Sequence, residues 1–156
     1  MSVSGTILYR RSNFVTHLPV GHLYSPSHVW LGEVPGQPGR WQVGLTKFAL
    51  RMLGELVDIQ WECQTGSSVQ AGHIVGHIEG FKAISDLYCV VDGSFLGGNG
   101  TLGTDLEQLS RDPYTTWLYE VEGTPDSRCM PVGEYQRLLD TTIDRILEKQ
   151  MIDEAP

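Results

Sequence analysis

His77-Ile78-Glu79-Gly80-Phe81-Lys82-Ala83-Ile84-Ser85-Asp86-Leu87-Tyr88 decides how the rest of this chain is read. Apolar runs flank its lysine: Ile74-Val75-Gly76-His77-Ile78 before it and Leu87-Tyr88-Cys89-Val90-Val91 after it. Both have the composition of strands, so Lys82 falls at the crest of a hairpin. It is the only lysine or arginine between Arg51 and Arg111, an interval that holds eight acidic residues. One reading makes the amine the working part of the protein. The other makes it a solvated turn lysine beside Glu79 or Asp86, and exposed pairs of that kind contribute little. Spacing alone favours the second.

Working outward, short strands with turn signals dominate. Residues 28–34 and 41–45 form a hairpin around Pro35-Gly36-Gln37-Pro38-Gly39. Residues 46–53 form a short helix with Thr46 as N-cap and Gly54 just past its end. Residues 56–62 alternate, predicting Val57, Ile59 and Trp61 inward and Asp58, Gln60 and Glu62 outward. Asp92-Gly93 predicts a tight turn. Thr104-Asp105-Leu106-Glu107 predicts a capping box opening a second helix that stops near Asp112-Pro113. Residues 116–122 predict the last strand. Residues 134–150 predict the longest helix, with Leu138, Leu139, Ile143, Ile146 and Leu147 as its apolar stripe. The expected class is mainly β, a small sandwich or barrel of about seven strands with helical decoration. Residues 1–25 are expected as an arm on a domain spanning 26–123, and residues 124–156 as a helical extension packed on it.

Composition narrows the function. A chain of 156 residues supports one core. A net charge of −8 with only three lysines argues against nucleic acid or an anionic membrane as partner. No apolar stretch reads as a secretory leader or membrane span, and Cys63, Cys89 and Cys129 read as reduced thiols of a cytoplasmic protein. A monomer is expected.

The chemical motifs that stand out mostly dissolve on inspection. Gly98-Asn99-Gly100-Thr101-Leu102-Gly103 fits a dinucleotide-binding spacing, but lacks the parallel strand–turn–long helix setting that gives that pattern meaning. His73 and His77 have the spacing of a zinc pair on a helix. On a strand they stand about 13 Å apart, so no metal site is expected. Cys89 shares strand parity with Leu87 and Val91 and belongs in the core. No serine elbow or carboxylate pair appears, so no catalytic residue is expected. A lysine at a hairpin tip is a poor general base but a good attachment point, because a second protein can reach it.

At this point the residues resemble a family, the lipoyl-domain group and within it the glycine cleavage H proteins. His28-Val29-Trp30 is similar to the family's H-x-W opening, and Val43-Gly44-Leu45-Thr46 with Leu53-Gly54-Glu55 to its V-G-I-T and L-G-D segments. Gly66, Val69 and Gly72 resemble its G-x-x-V-x-x-G turn. Glu79-Gly80-Phe81-Lys82-Ala83 and Ser85-Asp86-Leu87-Tyr88 resemble its E-S-V-K-A-x-S-D-x-Y lipoylation hairpin. The resemblance implies a barrel-sandwich hybrid with two small inserted helices and a C-terminal helix. It implies lipoate in amide linkage to Lys82, and a carrier rather than an enzyme. It also implies Glu79 as a contact for a lipoate ligase or lipoyl transferase, with Gly80, Phe81, Ala83, Ser85 and Asp86 shaping the hairpin.

Gly80-Phe81 replaces the family's serine-valine, Gly97-Gly98 replaces a charged and apolar pair, and both termini run longer. These departures resemble the H-like lipoate-binding proteins of bacterial sulfur oxidation, which work with a heterodisulfide reductase-like complex. The expected role is therefore a lipoyl carrier of a sulfur-bound intermediate. The alternatives are the aminomethyl carrier of glycine cleavage and, in another class, an unmodified H-like interaction module.

Overall fold

The computed structural model describes residues 5–154. Eleven strands and three helices run in the order β1 (Thr6–Arg11), β2 (Phe14–Pro19), β3 (Leu23–Tyr24), β4 (Val29–Glu33), β5 (Arg40–Leu45), α1 (Lys47–Leu53), β6 (Leu56–Trp61), β7 (Ser68–Val69), β8 (Ile74–Gly80), β9 (Ile84–Tyr88), β10 (Val91–Gly98), α2 (Gln108–Arg111), β11 (Tyr119–Pro125) and α3 (Val132–Glu154). A 3₁₀ turn, Gly100–Gly103, precedes α2. A six-stranded sheet ordered β3-β4-β5-β11-β10-β7 and a three-stranded sheet ordered β6-β8-β9 contribute to one core that includes Leu31, Val43, Ile78, Leu87, Phe95 and Val121. The sheets do not close into a barrel. This is the mainly β sandwich-type architecture, with two small inserted helices and a terminal helix, that the sequence implies.

A second cluster joins the termini to the body. β1 and β2 form a hairpin whose Tyr9, Phe14 and Leu18 pack with Tyr24, Trp30, Phe48 and, from α3, Tyr135, Leu139 and Ile143. Polar bonds fix this cluster. Tyr9 Oη donates to Asp140 at 2.7 Å, and Arg11 grips Asp144 through two nitrogens. The H-x-W segment belongs here. Trp30 is buried, its indole N–H donates to Pro113 O at 2.8 Å, and the His22 ring stacks on it. His28 adopts a left-handed φ of 67° and places Nδ1 2.9 Å from Tyr135 Oη, which in turn donates to Thr46 Oγ1 at 3.0 Å. His28 therefore precedes β4 and does not begin it.

Several local expectations are overturned. Val57 is exposed, because a bulge between Leu56 and Asp58 breaks the alternation; Leu56 is buried in its place, and Ile59 and Trp61 still pack on the core. Asp92-Gly93 is not a turn. Gly93 lies inside β10 opposite Gly123, and a Cβ on either would collide with the other strand's backbone, so glycine here permits close approach. The capping box does not form: Thr104 closes the 3₁₀ turn, and Glu107 precedes α2 with no side-chain cap bond. The last strand starts at Tyr119, since residues 116–118 bond outside a ladder.

Candidate functional site

The site is the β8–β9 hairpin tip, Phe81-Lys82-Ala83, and the ground it rests on. Gly80 N donates to Ala83 O at 2.9 Å and closes the turn. The next two amides have no partner within the hairpin, and the α1–β6 connection supplies both. Phe81 N donates to Glu55 O and Lys82 N to Leu53 O, each at 2.9 Å. Thr46 caps α1 by accepting from Ala49 N, and Gly54 ends it with φ 76°. A Cβ on Gly54 would stand 2.9 Å from Lys82 Cγ, and one on Gly80 would run into the Leu53 carbonyl. Two glycines thus let the tip lie against the end of the helix. The Leu53-Gly54-Glu55 segment stands out in the sequence only through family resemblance; the structure gives it a physical role as the tip's cradle.

Lys82 is exposed, and among the described residues it makes no ion pair. The amine does not project clear of the body. Its side chain leans back over Gly54, and Nζ donates to Arg51 O at 3.5 Å, a long bond that leaves it available. Phe81 is 75% exposed and Ile84 67%, so the amine is flanked by apolar surface instead of by a charged partner. Glu79 is half-buried in β8 between Asp58 and Ile84, the nearest acidic residue before the tip in sequence. Ala83, Ser85 and Asp86 are exposed. Ser85 Oγ donates to Asp86 O at 3.0 Å, and Tyr88 Oη reaches Asp86 Oδ2 at 3.5 Å.

Two hollows adjoin the tip, and no feature of the sequence announces either. One, about 330 Å³, lies along β9 and is lined by His28, Phe48, Leu53, Ile84 and Asp86 among others. The other, about 400 Å³, lies over α1 and includes Lys82 in its lining.

The remaining sequence candidates take structural roles. Cys89 is buried, with its thiol pushed up by burial, and it donates to Val91 O. Burial pushes the Cys129 thiol up to about 11, so neither is a ready nucleophile. Cys63 is half-buried. His73 Nδ1 accepts from Gln70 N at 3.1 Å, and His77 lies 3.9 Å from Glu62. No group of three or more metal-ligating side chains assembles among the described residues. Gly98 closes β10, and Asn99 caps the 3₁₀ turn by accepting from Thr101 N.

Lys82 thus stands at the tied tip of a hairpin on a mainly β sandwich. The family model described as "Glycine cleavage H-protein" matches residues 22–140. The glycine cleavage system H protein of Corynebacterium jeikeium is 36% identical over 126 residues, 78% of this chain and 97% of that relative. Its counterpart from Listeria monocytogenes is 33% identical over 127 residues, covering 79% and 98%. The crystal structure of a glycine cleavage system H protein from Mycobacterium marinum superposes with a TM-score of 0.67 at 31% identity, covering 76% of this chain and 95% of that one. The chain belongs to the glycine cleavage H-protein family, whose members are lipoate-bearing carrier subunits and not themselves enzymes. Among the described residues, no helix is long and apolar enough to cross a membrane.

Proposed function

We propose that Lys82 is the lipoate attachment residue and that the chain carries an aminomethyl group between the enzymes of glycine cleavage. The observation that carries this is the amine itself, exposed and without an ion pair among the described residues, on a tip whose backbone is fixed by Leu53 and Glu55. The residues suit the group: an unpaired amine loses no ion pair on becoming an amide, and apolar surface at Phe81 and Ile84 borders it. A bound lipoyl group supplies a dithiolane that interconverts between disulfide and dithiol by thiol exchange. The chain's own contribution is position, because a tethered arm is held at high effective concentration wherever the domain docks. A lipoate ligase or lipoyl transferase would install the group, with Glu79 as a recognition contact. Glu55, Asp58, Glu79 and Asp86 on the neighbouring strands and loops favour partners with basic docking faces.

The test is intact mass after expression in a lipoylating host, followed by glycine–CO₂ exchange with glycine decarboxylase. A lipoyl adduct on the wild type that is lost in Lys82→Arg, together with strong exchange, supports the proposal. Absence of the adduct leaves the unmodified interaction module as the reading.

A second reading rests on Gly80-Phe81, which departs from the serine-valine of the glycine cleavage pattern. It makes the lipoyl group a carrier of a sulfur-bound intermediate for a heterodisulfide reductase-like complex. A lipoylated protein that fails to support exchange would favour it.

A further inference from the structure

We propose that α1 and the N-terminal hairpin form a cationic docking face, on the α1 side of the Lys82 tip, for a protein partner that presents carboxylates. The inference goes beyond the basic-faced partners that the acidic strands favour, and it does not depend on lipoylation.

Charge is divided along the chain. Residues 1–54 carry five arginines and lysines, Arg10, Arg11, Arg40, Lys47 and Arg51, against one carboxylate, Glu33. The other eighteen of the nineteen acidic residues follow from Glu55 onward. Folding gathers three of these cations. Lys47 and Arg51 are exposed and stand one turn apart on α1. Lys47 Nζ donates to Val15 O at 2.8 Å, and Val15 is the register partner of the exposed Arg10. Arg51 donates to Asn13 Oδ1 at 3.2 Å, and its guanidinium carbon lies 5.7 Å from the centre of the Phe14 ring. Lys82 Nζ in turn reaches Arg51 O. A row of cations therefore runs from Lys47 through Arg51 to the tip, with Arg10 beside it.

No carboxylate answers this row. Among the described residues, none of Arg10, Lys47, Arg51 and Lys82 forms an ion pair. Asp140 and Asp144 of α3 are taken up by Tyr9 and Arg11 of the hairpin. The groove over α1 has Arg51 and Lys82 in its lining, and its other walls are polar or apolar. Like charges left uncompensated in an acidic chain repel one another and do not help it fold. They suit recognition of an opposite charge. Met52 and Leu147, 49% and 37% exposed, add apolar surface of the kind found at the centre of an interface.

Sign and extent together identify the occupant. The row spans one short helix and one hairpin, whereas the remainder of the chain is strongly acidic. A nucleic acid or an anionic membrane extends past the row and meets that acidic remainder. A folded protein with a local cluster of Asp and Glu does not. The hairpin strands β1 and β2 also precede residues 22–140, the span matched by the family model. A partner that reads this face thus reads a surface that the matched domain does not build alone.

The experiment titrates the unmodified, full-length ¹⁵N-labelled protein with octaglutamate, and separately with octalysine, at low ionic strength. Octaglutamate should shift the amides of residues 10–15 and 47–52, and octalysine those of β6, β8 and β9. Arg10→Glu combined with Lys47→Glu should weaken octaglutamate binding by about tenfold and spare the octalysine shifts. Glutamate at the first position of α1 suits the helix dipole, and Tm checks the fold of the variant. If the double variant unfolds, Lys47→Gln should still weaken octaglutamate measurably. Absence of octaglutamate shifts, shifts centred on Arg111, Arg128 or Arg137, or variants that bind like the wild type would overturn the inference. Tighter binding of duplex DNA or phosphatidylserine vesicles than of octaglutamate would overturn the choice of a protein partner. Failure of Lys82 to acquire lipoate would sink the carrier reading and leave this face standing.

Discussion

A Cβ on Gly80 would overlap the carbonyl oxygen of Leu53, so the Lys82 hairpin and the end of α1 meet backbone to backbone. Serine, the residue in the family pattern at this place, does not fit the geometry found here. Gly80→Ser should push the tip off the helix, lengthening the Phe81–Glu55 and Lys82–Leu53 bonds. A forced overlap of this kind costs about 1–3 kcal/mol, expected as a Tm lowered by several degrees, with faster hydrogen exchange at the Phe81 and Lys82 amides. An unchanged Tm and unchanged exchange would show that the contact is loose.

Glu79 is half-buried beside the tip and makes no ion pair among the described residues, so Glu79→Gln removes a charge without leaving a cation stranded. The variant should fold like the wild type. Its initial rate of lipoylation should fall by about tenfold, the scale of one lost interfacial charge contact. Time-resolved intact mass measures it, and equal rates would remove Glu79 from the recognition surface.

Burial pushes His28 from the usual 6.5 down to about 4, and burial also lowers His22. Both imidazoles are held neutral in the folded state, so the unfolded chain binds protons first as pH falls. The His28 contribution to stability is complete above pH 6.5 and is lost between there and about pH 4, and the His22 contribution falls in the same direction. For His28 alone the loss is on the order of 3 kcal/mol. Urea unfolding at pH 7.5, 5.5 and 4.5 should show this fall, and His28→Gln should flatten it.

Leu139 is fully buried in the cluster that joins α3 to the N-terminal hairpin. Leu139→Ala should cost about 2–5 kcal/mol by cavity formation. If α3 is an integral part of the fold, near-UV circular dichroism and helix content will be lost in one transition. Two separated transitions would make the helix an independent appendage.

Much of this was legible because the signals are local. The strand–lysine–strand alternation placed Lys82 at a hairpin tip, Thr46 and Gly54 bracketed α1, and the stripe through Leu138 and Ile143 found α3. What escaped depends on contacts between distant segments. A bulge at Val57 leaves no mark on an alternating run. Asp92-Gly93 has the chemistry of a turn, and only the facing Gly123 reveals it as a strand crossing. The same limit hid the cradle and the groove. The sequence names Lys82, but backbone carbonyls of Leu53 and Glu55 carry no side-chain signature, and the groove joins residues some 130 positions apart.

The two hydrogen bonds from the tip's amides to the α1–β6 connection have a consequence for the timing of modification. A short peptide carrying Glu79 through Asp86 has neither carbonyl to hold it, so it presents the right residues in the wrong shape. If Lys82 is the attachment residue, an enzyme that reads this tip reads a folded surface. Lysine labelling during synthesis would precede that surface and find nothing to recognise. On that reading the hairpin would be modified only once α1 and β6 have formed.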